Sequence, residues 1–125
     1  MTSRKLRTLV IETDTYLWRI HHRHLQIAAD GSRCCMEVFS AFMPDCMGKP
    51  LRILFPESQL HGVGFPRQSG VVMDYREPTW VLNLNRPKAA RILIELARVE
   101  GWEPMTGRGE FAISNGYELL LNRLE

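Results

Sequence analysis

The sequence lacks the features that identify membrane and secreted proteins. It contains no apolar run approaching the ~20 residues that cross a bilayer as a helix. The basic first residues are not followed by the apolar core of a signal peptide. The net charge of +2 is also too small to indicate a nucleic-acid partner by itself. We therefore expect a cytoplasmic protein with no membrane partner.

Cysteine is scarce, and the three cysteines present lack the spacing of a metal site. Cys34, Cys35 and Cys46 are an odd number, and no two of them form a zinc-type pair. Neighbouring residues on a strand point to opposite faces, so Cys34 and Cys35 are poorly placed to bridge each other. The pattern predicts reduced, partly buried thiols.

Motifs of covalent and acid–base catalysis are absent as well. The sequence has no Gly-x-Ser-x-Gly elbow, no glycine-lysine phosphate loop and no aromatic signature of an RNA-binding sheet. Its carboxylates are scattered, without the pairing that hydrolysis by two carboxyl groups requires. We therefore expect a non-catalytic protein that needs no cofactor.

The chain is nevertheless long and apolar enough to bury a core. Hydrophobic residues make up 45% of its 125 positions, which argues against disorder. No internal repeat, low-complexity segment or linker divides it. The length suits one domain, and we expect residues 1–125 to form it.

The clearest pattern in the chain is a strand followed by a helix. Residues 79–84 are mostly branched or aromatic, and Trp80, Leu82 and Leu84 alternate onto one face. The next segment has the periodicity of an amphipathic helix, predicted over about residues 86–100.

The ends of this helix are also readable. Asn85 is predicted to be its N-cap, and Pro87 fits the first turn, where a missing N–H costs nothing. Gly101 is predicted to end it, after which Trp102 folds back onto the core. The expected apolar stripe consists of Ala89, Ile92, Leu93, Leu96 and Val99.

Further strands are predicted where branched and alternating residues recur. These are residues 6–12, 16–28, 33–43, 51–55, 70–75 and 110–113. Asp30-Gly31 predicts a two-residue hairpin turn, and residues 44–50 predict a connecting loop. The succession of strands with short turns predicts an α+β fold, in which one long helix packs on a mainly antiparallel β-meander.

Two features of this fold stay open at the level of sequence. Residues 116–124 form either a hairpin arm or a short C-terminal helix, and their apolar spacing favours the helix. The third strand is apolar on both faces, which a homodimer would bury. We therefore expect a homodimer.

The second strand contains a candidate metal site. His22 and His24 share one face at period two, and a turn at Asp30-Gly31 would place His24 opposite Glu37. Imidazole and carboxylate are zinc ligands, so His22, His24 and Glu37 form the candidate set. The interpretation we favour is structural, with His24 hydrogen-bonded to Glu37 across the two strands.

The opposite face of the same strand is basic. Arg19, His21 and Arg23 alternate onto it and could contact phosphate, with Tyr16 or Trp18 as a stacking surface. Few other basic residues cluster there, so the pattern favours a solvated sheet face and makes nucleic acid an unlikely partner.

The glycine-containing segment 57–69 suggests a ligand pocket. A long irregular connection inside a compact domain is often functional. The candidate ligand-binding residues, in this segment and the strands after it, are His61, Phe65, Arg67, Tyr75 and Trp80.

Taken together, these patterns indicate a small soluble domain that binds a protein or a small molecule without catalysis. One alternative is a small metal-dependent enzyme that uses the His-x-His strand site. A second alternative is a nucleic-acid-associated module.

Overall fold

A computed structural model describes residues 6–26, 33–57, 61–63, 70–76, 79–106 and 108–124. The elements in these residues are β1 (Arg7–Ile11), β2 (Asp14–Gln26), β3 (Arg33–Met43), β4 (Cys46–Pro56), β5 (His61–Val63), β6 (Val71–Asp74), β7 (Trp80–Asn83), α1 (Pro87–Val99), β8 (Phe111–Ile113) and α2 (Gly116–Leu124). No helix in this part of the chain is long and apolar enough to cross a membrane.

The strands form two sheets. The larger has the order β1-β2-β3-β4-β8, and its first four strands are an antiparallel meander, whereas β8 runs parallel to β4. The smaller sheet is the antiparallel set β5-β6-β7. The predicted α+β class is therefore confirmed, with one parallel strand at the end of the meander.

One face of the larger sheet, which we call the core face, is buried over its central part. Its largest side chains include Trp18, Phe39 and Phe55. They form a single hydrophobic cluster with Leu93 of α1 and with Val72 of the smaller sheet. The core therefore lies between the larger sheet on one side and α1 with the smaller sheet on the other.

The predicted loop at residues 44–50 is wrong, because β4 already begins at Cys46. Met43 pairs with Cys46 around a tight turn, and the pairing register then shifts before Leu51. Gly48 and Pro50 fall within this irregularity, where a missing N–H removes no regular ladder bond. The residues that suggested a loop therefore occupy a bulge within a strand.

Helix α1 matches its predicted range, but its buried face is rotated from the predicted stripe. The buried residues are Ala89, Ala90, Leu93, Ile94 and Ala97. Val99, expected inside, is 81% exposed. The small alanines let the helix lie close to the large aromatic side chains of the sheet. A prediction that counts only the bulky apolar residues of the helix therefore misses the face that is buried.

The N-cap of α1 is Arg86 rather than Asn85, and Arg86 forms no side-chain capping bond. Asn85 is instead the end of a short turn, in which its N–H donates to Asn83 Oδ1 at 2.9 Å. At the other end, Gly101 adopts a φ of 116°, which glycine tolerates without strain. Trp102 then folds back as predicted, and its side chain is fully buried.

The C-terminal segment is a helix, as the apolar spacing favours. Asn115 Oδ1 accepts the N–H groups of Tyr117 and Glu118 at 3.0 and 3.3 Å, so it satisfies the free donors of the first turn. In a hairpin, the side-chain oxygen of Asn115 would have no helix N-terminus to cap.

Strand β3 is buried on both faces within one chain. Phe39 and Ala41 on the core face are fully buried, and so is Val38 on the opposite face, where Met36 is 6% exposed. A second copy is therefore not needed to cover these residues. Cys35 and Cys46 are both half-buried, as the sequence predicts.

Candidate binding site between the two sheets

The β2–β3 register differs from the predicted one by two residues. His22 pairs with Glu37, and His24 pairs with Cys35. The turn that was expected to set the register lies outside the described residues. Because side chains repeat every two residues along a strand, a shift of two keeps every side chain on its predicted face.

The correct register makes His22 the partner of Glu37. The distance from His22 Nδ1 to Glu37 Oε2 is 2.5 Å, and Glu37 is fully buried. The predicted cross-strand histidine–carboxylate pair therefore exists, but with His22 in place of His24. Among the described side chains, which do not include that of His24, no group of three or more is arranged to hold a metal ion. The three-residue metal site stays a prediction.

A second histidine–carboxylate pair lies in the smaller sheet. His61 on β5 is opposite Asp74 on β6, with Nε2 and Oδ2 3.2 Å apart. The Arg76 guanidinium donates two hydrogen bonds to the same carboxylate, from Nη2 to Oδ2 at 2.6 Å and from Nε to Oδ1 at 3.0 Å. These bonds to Arg76 lower the pKa of Asp74 from 3.8 to about 2.

Tyr117 of α2 lies between this cluster and the larger sheet. Its ring stacks on that of His61, with centroids 3.7 Å apart and an interplanar angle of 12°. Phe55 meets the same ring edge-on at 5.3 Å. Tyr117 therefore links the two sheets through one aromatic contact to a residue of each sheet.

The Tyr117 hydroxyl is one of several described side-chain groups that are buried without a hydrogen-bond partner among the described residues. Its oxygen forms no hydrogen bond with the described part of the protein, and the residue has no exposed surface. Burial raises the pKa of this phenol, and the negative charges of Asp74 and Glu37 raise it further. The hydroxyl is therefore neutral at physiological pH.

The structure brings only part of the predicted pocket together. The His61 ring stacks on that of Tyr117, and the centroid of the Trp80 ring lies 6.3 Å from the centroid of the Tyr117 ring. Tyr75, also predicted to bind, is 48% exposed at the surface. Phe65 and Arg67 lie outside the described residues.

Asp74, Arg76 and Tyr117 were missed by sequence reasoning. Asp74 ends β6 and Arg76 follows it by two residues, in a bend, so the short spacing of opposite charges was a usable signal for an ion pair. Tyr117 belongs to a helix far along the chain, and nothing in the local sequence connects it with His61.

No protein-family model matches this chain, and neither a curated protein nor a solved structure matches it. The fold and the site define an α+β domain with a buried polar and aromatic cluster between two sheets. Its function is therefore argued from this geometry.

Proposed function

We propose that the protein is a non-catalytic binding domain that holds a small molecule at the Tyr117 hydroxyl, between the two sheets. The single observation that carries this proposal is the buried Tyr117 hydroxyl, which has no hydrogen-bond partner among the residues that the structure describes. Leaving such a group unsatisfied costs about 1–3 kcal/mol, and native proteins rarely tolerate it without a compensating ligand or water.

The surroundings of the hydroxyl suggest the chemistry of the ligand. Burial is the main cause of the raised pKa of Tyr117, and the nearby carboxylates of Asp74 and Glu37 raise it further, so negative charge lies close to the phenol. His61, Phe55 and Trp80 supply flat apolar surface around the ring. A small amine, which donates N–H bonds and favours negative surroundings, fits this combination best.

The histidines near the site support binding rather than catalysis. His61 Nε2 lies 3.2 Å from both Asp74 Oδ2 and Arg76 Nη2. His22 Nδ1 is held by Glu37. A general base must present a nitrogen to the proton it removes, and one ring nitrogen of each histidine is already bonded within the protein.

The test replaces Tyr117 with phenylalanine, which removes the hydroxyl and keeps the ring. We expect the ligand-free variant to be more stable than wild type by about 1 kcal/mol in urea unfolding, because an unsatisfied buried group is lost. In an NMR screen with small primary amines, we expect wild-type shifts near His61 that the variant no longer shows.

Tyr75→Phe provides the matched control, since Tyr75 is an exposed tyrosine in the same sheet region. It should change neither stability nor amine binding. Loss of stability in Tyr117→Phe, together with no amine that perturbs the wild-type spectrum, would contradict the proposal.

A cytoplasmic location and a homodimer belong to the same proposal. Support for the dimer comes from β1, which is an edge strand of the larger sheet among the described residues: Leu6, just before it, and Val10, within it, are 45% and 55% exposed. Exposed apolar edge strands readily pair with a second chain. Light scattering at micromolar concentration should give twice the chain mass of 14.5 kDa, and a single species of 14.5 kDa would rule the dimer out.

A further inference from the structure

The larger sheet has a second face, opposite the core face, which we call the outer face. It carries Arg19, His21 and Arg23 from β2, as the sequence predicts. The register adds Arg52 from β4, because Ser40 of β3 pairs with Arg19 on one side and with Arg52 on the other. Sequence alone did not connect Arg52 with this basic row.

The positive charge of the outer face is only partly neutralised. Arg52 forms an ion pair with Glu110, from Nε to Oε2 at 3.1 Å. Among the described residues, neither Arg19 nor Arg23 forms an ion pair, and both are exposed. Burial is the main cause of the lowered pKa of His21, and the positive charges of Arg19, Arg23 and Arg52 lower it further.

Ser40 provides an independent indication of a ligand. The residue is 8% exposed, lies between two arginines, and its hydroxyl has no hydrogen-bond partner in the described part of the chain. The strands on either side are each about 4.8 Å away. An anion seated between the two guanidinium groups would be positioned to accept the Ser40 hydroxyl proton in a hydrogen bond.

The arrangement along β2 favours a linear, regularly charged partner. Arg19, His21 and Arg23 recur about every 6.6 Å along the strand, a spacing comparable to that of successive phosphates on an extended nucleic-acid strand. Leu17 and Phe42, paired with each other beside Arg19, are half-buried and leave apolar surface for bases and sugars.

We propose that the outer face binds the phosphate backbone of a single-stranded nucleic acid through Arg19, Arg23, Arg52 and the hydroxyl of Ser40. Tyr16 and Trp18, considered as stacking residues from the sequence, play no part, because both are buried on the core face. This surface is separate from the Tyr117 site, so either proposal stands or fails without the other.

The experiment is a fluorescence anisotropy titration of labelled single-stranded oligo(dT). Three arginine contacts predict a slope of log K against log[salt] of about −2, since each phosphate contact on a single strand contributes about −0.7. Binding should therefore weaken about 20-fold between roughly 50 and 200 mM salt. Absence of binding at about 50 mM salt and about 100 μM protein would overturn the proposal.

Two variants separate charge from geometry. Arg19→Gln combined with Arg23→Gln removes two exposed charges that form no ion pair within the described part of the chain, and should reduce the slope to about −0.7. Ser40→Ala should weaken binding about tenfold with the slope unchanged, because it removes a hydrogen bond to an anion and no charge. The proposal is wrong if the double variant keeps the wild-type slope.

Arg91→Gln is the matched control, because Arg91 is an exposed arginine on α1 whose ion pair with Glu95 lies away from the sheet. It changes the net charge by one and should leave binding within twofold of wild type. Polyglutamate serves as the competitor of different chemistry. Equal competition by polyglutamate and by unlabelled oligo(dT) would identify an acidic protein as the partner and overturn the nucleic-acid proposal.

Discussion

Replacing Asp74 with asparagine is expected to lower the free energy of unfolding at pH 7 by about 3 kcal/mol. Removal of one partner from a buried ion pair typically costs 3–5 kcal/mol, because the other charge is left without compensation. Asp74 is 1% exposed, whereas the Arg76 side chain is 34% exposed, so water offsets part of the loss. Urea unfolding of the two proteins at pH 7 measures the difference.

The same replacement should remove a pH dependence. The folded-state pKa of Asp74 is about 2, below its ordinary value of 3.8, so the unfolded chain takes up this proton first as the pH falls. The stability that ionised Asp74 contributes is fully present at pH values more than one unit above 3.8. It is lost as the pH falls from there to about 2. The gap between wild type and Asp74→Asn should therefore narrow by up to about 2 kcal/mol on acidification.

Asp14→Asn is the control for this experiment. Asp14 faces Arg98 at 3.6 Å, with both side chains 37% exposed. An ion pair with this exposure is worth less than about 1 kcal/mol. A stability gap for Asp74→Asn that stays constant down to pH 2, or that is no larger than the gap for Asp14→Asn, would contradict the assigned role of Asp74.

Replacing Trp102 with alanine is expected to cost about 4 kcal/mol, because the change leaves a large cavity in a close-packed core. The indole is fully buried, lies 6.0 Å from the Tyr16 ring, and donates from Nε1 to the Lys49 carbonyl at 2.9 Å. Trp102→Phe should cost about half as much, since most of the ring volume remains while the hydrogen bond is lost.

Met105→Ala is the matched control, because Met105 is also apolar and close in sequence but is 57% exposed. Its effect should stay within about 0.5 kcal/mol of wild type. Equal effects of Trp102→Ala and Met105→Ala on the urea midpoint would show that Trp102 is not a core residue in solution.

The features predicted correctly from the sequence depend on short-range patterns. Period two in β2 placed His22 and Arg19 on opposite faces, and helical spacing located α1. The features predicted wrongly depend on long-range choices. The β2–β3 register follows from a turn whose length the Asp30-Gly31 pair does not determine, and the buried face of α1 follows from the surface it meets.

The candidate site was predictable only in part for the same reason. His61 was predicted to bind a ligand because it lies in the glycine-containing segment 57–69, and Trp80 because it is an aromatic residue in a strand that follows. Both lie near Tyr117, and their role in binding stays a prediction. The hydroxyl that carries the functional proposal belongs to Tyr117, and its approach to His61 requires α2 to pack across the two sheets. No local pattern specifies such a contact between distant segments.

The parallel pairing of β8 with β4 has a consequence for the order of folding. The meander β1 to β4 closes through short connections, whereas Leu51 and Phe111 meet only after a loop of about 60 residues is closed. Such contacts generally form late, because the entropy of closure must be lost before they contribute. Helix α2 follows β8 directly, so Tyr117 reaches His61 in this last step. The proposed ligand site is therefore complete only at the end of folding. A ligand bound there would mainly slow the opening of the C-terminal segment.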